Sequence, residues 1–175
     1  MAKMTTDHDT GATNMTAQTL RRSGALVLSL LVCFAAAGLG GLATSTSVGD
    51  WYPQLNKPPF NPPAWLFAPV WNLLFALMAV AAWRIYDRVP AGVIRRAALT
   101  LFALQLVANI LWSVLFFGLR QPGGALIEIL VLEAMIVATM IVFWRLDRVA
   151  GALLVPYTLW VAFAIALNGA IWWLN

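Results

Sequence analysis

The run from Gly123 to Trp144, GGALIEILVLEAMIVATMIVFW, decides the fold. Its 22 residues hold only two charges, Glu128 and Glu133, and none of the strict apolar–polar alternation of a membrane β-strand. At 1.5 Å of rise per residue it spans roughly 33 Å, enough to cross a hydrocarbon core of about 30 Å. Lipid offers no partner to backbone N–H and C=O groups, so such a run must be helical. Four more runs of about the same length lie at about 23–44, 65–86, 97–118 and 151–173. The chain therefore reads as an all-α membrane protein, a five-transmembrane-helix bundle over residues 21–175, preceded by a polar tail over 1–20 that is expected to be disordered.

Composition agrees. Of 175 residues, 62% are hydrophobic and 10% charged, against about 25% charged in an ordinary soluble domain. The net charge of +4 does not indicate a nucleic-acid partner, because the basic residues punctuate apolar runs and form no patch. Cys33 is the one cysteine and His8 the one histidine, so no disulfide and no metal site is expected. No cofactor is required by any motif. The first run follows Arg21 and Arg22 but is too long for a signal-peptide core and lacks a small-x-small cleavage site, so it is read as a retained helix.

The arginines set the orientation. Arg21 and Arg22 precede the first run, Arg84, Arg88, Arg95 and Arg96 flank the second connection, and Arg145 and Arg148 flank the fourth. The opposite face has Lys57 and Arg120. The positive-inside rule puts the N-terminus with the arginine-rich face in the cytoplasm, and the first loop, the third loop and the C-terminus on the other side. An odd helix count argues against an inverted-repeat transporter.

Within the membrane, polar side chains call for a reason. Gln105, Asn109, Trp112, Ser113 and Phe116 fall on one helical face of the third run, and Tyr157, Trp160 and Asn168 on one face of the fifth. Such stripes either line a cavity or join helices through hydrogen bonds of about 1 kcal/mol or less. Glu128 and Glu133 stand about 140° apart around their helix, so at least one is expected to face inward. No nucleophile–base pair accompanies them. Pro156 blocks a helical hydrogen bond and is expected to kink the fifth helix. Gly38, Gly40 and Gly41 permit close helix contact or dimerisation. Of the nine tryptophans, Trp83, Trp144, Trp172 and Trp173 sit near helix ends, as belt anchors do. Trp51, Trp71, Trp112 and Trp160 offer flat faces to a large planar ligand, or plain packing. The first loop, Trp51 to Pro63, has five prolines in thirteen residues and reads either as a lid or as an interfacial anchor.

Three stretches resemble one family. The first loop and second run carry Trp51-Tyr52-x-x-Leu55-x-Lys57-Pro58-x-Phe60-x-Pro62-Pro63 and then Pro69-Val70-Trp71-x-x-Leu74-Phe75-x-x-Met78. The third run has Gln105-x-x-x-Asn109-x-x-Trp112-Ser113-x-x-Phe116-Phe117, and the fifth has Pro156-Tyr157-x-x-Trp160 and Leu167-Asn168. From about residue 24 onward the chain resembles the translocator protein / tryptophan-rich sensory protein (TspO/MBR) family. The resemblance implies a five-helix bundle, commonly a homodimer in membrane lipid, that binds porphyrins such as protoporphyrin IX and acts in tetrapyrrole metabolism or stress response. It places Trp51, Tyr52, Trp71, Asn109 and Trp160 in a ligand pocket, to which the stripes add Gln105, Trp112 and Tyr157. Trp71 and Trp160 match tryptophans tied to light- and oxygen-dependent porphyrin breakdown in some members, which makes them the candidate catalytic residues of an alternative, enzymatic reading. A porphyrin or lipid transporter is the third reading. Phe60 stands where a tryptophan is usual, and Glu128 where Asp is frequent. No basic residue follows Tyr157 within five positions, so the sterol-recognition pattern is missing.

Overall fold

A computed structural model describes the backbone of residues 6–175 and the side chains from residue 18 onward. Six helices make five membrane spans: α1 (Thr6–Ser45), α2 (Ala64–Arg88), α3 (Val93–Ser113), α4 (Pro122–Leu146), and a fifth span divided into α5 (Arg148–Ala152) and α6 (Val155–Leu174). The apolar part of α1 is Gln18–Ser45. The expected disordered tail lies partly outside the described residues (1–5, and the side chains up to 17, His8 among them), while from Thr6 its backbone continues the helix of the first span. Propagating an existing helix costs no new nucleus, which is why a polar stretch can extend an apolar one.

The spans form a closed ring. α1 packs between α2 and α3, α4 between α3 and α6, and α2 meets α5 and α6. Small residues set the closeness of α1 and α2: Ala79, Ala81 and Ala82 are buried, and Ser29 Oγ donates to Ala79 O at 2.7 Å. Inside lie Cys33, Phe75, Met78, Ile85, Phe102, Leu132, Ile136, Phe143 and Val161. Large apolar side chains such as Leu28, Leu73, Val107, Ile127 and Leu159 point outward, as lipid-facing residues must.

Two departures from straight helix matter. The fifth span breaks at Leu153 and Leu154, immediately before Val155 and Pro156. The proline thus occupies the first turn of α6, where its missing N–H is no loss. The expected kink is therefore realised as a break. At the end of α3, Val114–Gly118 winds as a π-turn, with Leu119 N–H donating to Val114 O at 2.8 Å. Gln121 N–H donates to Leu115 O, which leaves Phe117 O to accept from Ser47 Oγ at 2.7 Å. That bond ties the end of α1 to the end of α3.

Candidate functional site

The two polar stripes face each other. α3 and α6 stand across the ring, and their side chains bridge it. The Tyr157 hydroxyl, fully buried, donates to Gln105 Oε1 at 3.1 Å and accepts from Asn109 Nδ2 at 2.9 Å. Further along, Trp112 Nε1 donates to Asn168 Oδ1 at 3.1 Å, and Asn168 Nδ2 donates to Pro122 O at 2.8 Å. A side chain with one donor or acceptor left over would be costly here, so each amide finds a partner in the facing helix. Ser113 lies against α1, its Oγ 3.2 Å from where a Cβ on Gly40 would sit.

Aromatic rings fill the space around this network. Trp71 of α2 meets Tyr157 edge-on, with centroids 6.2 Å apart, and leans on Phe75. Trp160 lies between Phe67 of α2 and Phe163, at 5.9 and 5.6 Å. Phe60 of the first loop reaches Phe163. Trp112 stacks on Phe116 at 5.4 Å. Trp71, Trp112 and Trp160 are all half-buried, whereas Gln105, Asn109 and Tyr157 are buried.

The first loop, residues 46–63, folds back over this end of the ring. Trp51 packs edge-on against Phe116, and Tyr52 against Phe116 and Phe117. Burial pushes the Tyr52 hydroxyl above its ordinary range, and it donates to Asn61 Oδ1 at 3.0 Å. Lys57 lies over the Tyr52 ring, its Nζ also donating to the carbonyls of Pro53 and Leu55. The far side of the loop is fastened to the end of α6. Asn56 N–H donates to Asn175 Oδ1 at 2.9 Å, and Asn175 Nδ2 donates to Asn56 O at 3.0 Å. Its near side is held by Arg120, which donates to Ser47 Oγ and pairs with Asp50 at 3.1 Å. Arg120 takes a left-handed backbone (φ 54°), a conformation that side chains rarely adopt and that these two bonds help to fix.

The eight residues singled out in the sequence thus run from the loop end of the ring to about its middle. Gln105, Asn109 and Tyr157 form one bonded cluster, with Trp71 on its edge. Trp112 belongs with Asn168, and Trp51 and Tyr52 with the phenylalanines of the π-turn. Trp160 sits in its own aromatic group. Phe67, Phe163, Asn61 and Asn175 also belong to the site, and none of them was a candidate from the sequence. Phe163 follows Trp160 by three and Phe67 precedes Trp71 by four, spacings that put each on its tryptophan's helical face. Asn61 and Asn175 carried no signal, because their bonds depend on how the loop folds back. Glu128 and Glu133 each bury one carboxylate oxygen that no group among the described residues bonds, so both turn partly inward, in keeping with the expectation of at least one. Among the described residues no cluster of His, Cys, Asp and Glu could hold a metal ion.

A five-span ring with a proline-rich loop folded onto a Trp–Tyr–Asn interior is a specific arrangement, and comparison with known proteins agrees with it. The model of the TspO/MBR family matches residues 29–174. The chain belongs to the TspO/MBR family. It is 40% identical over 156 residues to the tryptophan-rich protein TspO of Chlorobaculum tepidum, covering 86% of this chain and 95% of the relative. It is 35% identical over 150 residues to protein CrtK of Rhodobacter capsulatus, covering 86% and 94%. The translocator protein of Bos taurus is 40% identical over 136 residues, covering 77% and 80%. This TspO/MBR chain is accordingly a multi-pass membrane protein of the translocator type, with all but its first 28 residues and its last inside the family's boundaries.

Proposed function

We propose that this chain binds a porphyrin, of protoporphyrin IX type, at the loop end of the ring and reports its presence in tetrapyrrole metabolism or stress response. The observation that carries the reading is the bonded Tyr157–Gln105–Asn109 cluster with Trp71 on its edge, flanked by the aromatic groups of Trp51, Trp112 and Trp160, beneath a loop fastened at both sides. Flat aromatic faces suit a flat macrocycle, and amides and hydroxyls suit its carboxylates and pyrrole nitrogens. On this reading Trp71 and Trp160 flank the ligand, Trp112, Asn109 and Gln105 form its floor, and Trp51 and Tyr52 cover it. The arginine-rich end faces the cytoplasm by the positive-inside rule. A homodimer would use Gly38 and Gly41 of α1, where an added Cβ meets nothing.

The test is a titration of the detergent-solubilised protein with protoporphyrin IX in the dark, followed by tryptophan quenching and the porphyrin Soret band. Saturable binding that weakens in Trp71→Phe and Trp160→Phe is the expected result. Binding that is absent, or equal in all three proteins, would sink the porphyrin reading. The enzymatic alternative has one observation in its favour: Trp71 touches the ring of the hydrogen-bonded Tyr157, a pair suited to passing on an electron and a proton. It requires bleaching of bound porphyrin under light and oxygen that Trp71→Phe abolishes.

A further inference from the structure

Away from the loop end, a groove of about 390 Å³ opens between α1, α2 and α3 at the arginine-rich end. Small residues make it. Gly24 and Ala25 of α1, Ala82 of α2 and Ala103 of α3 stand where larger side chains would close the seam. Leu28, Val32 and Leu106 continue it inward. Its two flanks are fixed by bonds between α1 and α2, Ser29 Oγ to Ala79 O and Trp83 Nε1 to Arg22 O at 3.0 Å. The lining is therefore a formed surface with its own polar groups already satisfied, apart from those at the mouth.

The mouth differs in chemistry from the rest. Arg21 borders it and makes no ion pair among the described residues, although its neighbour Arg22 pairs with Asp87 at 2.9 Å. Tyr86 borders it too, more than a third exposed, with Arg95 lying over its ring at 4.9 Å. From Arg21 to Val32 is eleven residues of helix, or roughly 16 Å. Half of a hydrocarbon core of about 30 Å is nearly the same length. The groove thus begins at the headgroup level, with a cation that has no carboxylate partner among the described residues, and ends near the bilayer midplane. A dry slot of one leaflet's depth with a cation at its rim fits one molecule, a lipid of that leaflet with a negative headgroup.

We infer that this groove is a binding site for an anionic phospholipid, one acyl chain lying along Gly24, Leu28 and Val32 and the phosphate meeting Arg21. The site is separate from the porphyrin reading and does not depend on it. A second copy of the chain is the other occupant that an apolar helix seam admits, and the experiment separates the two.

Native mass spectrometry of the delipidated full chain, with phosphatidylglycerol or phosphatidylcholine added back, reads both lipid retention and oligomeric state. The expected result is one retained phosphatidylglycerol per chain, preferred over phosphatidylcholine. Arg21→Gln should cut that preference roughly fivefold, the weight of one basic residue against an anionic surface, and Arg21→Lys should restore most of it. Gly24→Phe should lose both lipids, because Gly24 lines the slot and an added Cβ there meets no atom within 4 Å, which leaves room for a ring that occupies it. Helical circular dichroism and the unchanged fluorescence of the loop-end tryptophans verify that the variants fold. Equal retention of both lipids, or a preference that survives Arg21→Gln, would overturn the inference. A Gly24→Phe chain that keeps its lipid but shifts from dimer to monomer would overturn it too, and assign the groove to a second copy.

Discussion

At the residue scale, Tyr157 is the hinge of the interior, since its hydroxyl serves two amides at once. Tyr157→Phe keeps the ring and its contact with Trp71 but leaves Gln105 and Asn109 without that partner. Hydrogen bonds between membrane helices are worth about 0.6 kcal/mol on average and up to about 1.7. Losing both should lower stability by about 1–2 kcal/mol in an SDS unfolding titration, and no loss would mean that water or a neighbour replaces the hydroxyl. Gly151 makes a sharper case. An added Cβ would sit 2.6 Å from Trp144 Cα and 2.7 Å from Trp144 N, which is backbone and cannot step aside. Gly151→Ala must push α5 off α4, at a cost near the upper end of overpacking, about 3 kcal/mol. The same titration checks it, and a shift below about 0.5 kcal/mol, the range of an ordinary surface change, would contradict the close approach.

At the scale of elements, the first loop is held by few bonds, so its opening is sensitive to each. Asn175→Ala removes two of the bonds to Asn56 and leaves the Arg120–Asp50 side intact. Each bond contributes about 1 kcal/mol, so amide exchange over residues 51–63 should quicken by about fivefold or more while α3 and α4 keep their protection. Exchange measured by mass spectrometry decides this, and an unchanged loop would show that the Arg120–Asp50 side and the packing of Trp51 and Tyr52 suffice to fasten it. Much of this scale was legible in the sequence. The spans expected at 65–86 and 123–144 are found at Ala64–Arg88 and Pro122–Leu146, because hydropathy over 20 residues averages out local detail. The stripes were legible too, since periodicity fixes which residues share a face. What faces them was not: that Asn109 would meet Tyr157, and Trp112 would meet Asn168, depends on the order of helices around the ring. The π-turn at Val114–Gly118 had no signal either, and the bond from Ser47 Oγ to Phe117 O that accompanies it joins residues far apart in the chain. Pro156 announced a disturbance but not its form, since a proline is equally content in a kink or in the first turn of a new helix.

At the scale of the whole molecule, the ring is closed at its two ends by charge. At the loop end the clasp is Arg120 with Asp50, both well exposed and so of small energetic weight. At the arginine-rich end it is Asp147, in the joint between α4 and α5, which joins α2 through Arg84 at 2.9 Å, with Arg88 at 3.7 Å. The Asp147 side chain is only 8% exposed and also accepts from Ala150 N–H at 3.0 Å, capping α5. Burial works to raise its pKa, but the bonds from Ala150 and Arg84 outweigh it and hold the carboxyl below its usual value of 3.8. A carboxyl lowered by folding stabilises the fold above the unfolded pKa, and that contribution disappears as pH falls through the folded value. The ring should therefore keep its stability down to about pH 4 and lose this part of it below. Asp147→Asn removes the charge at every pH, leaves Arg84 poorly paired and should cost about 2 kcal/mol at neutral pH. Its stability should also fall less steeply than the native protein's as pH drops below about 4. Thermal unfolding in detergent across that range distinguishes the two proteins. Parallel curves would mean that Asp147 does not carry the acid sensitivity, and that the closure between α2 and α5 rests on the packing of Ile85 and Ala150 in the shared core.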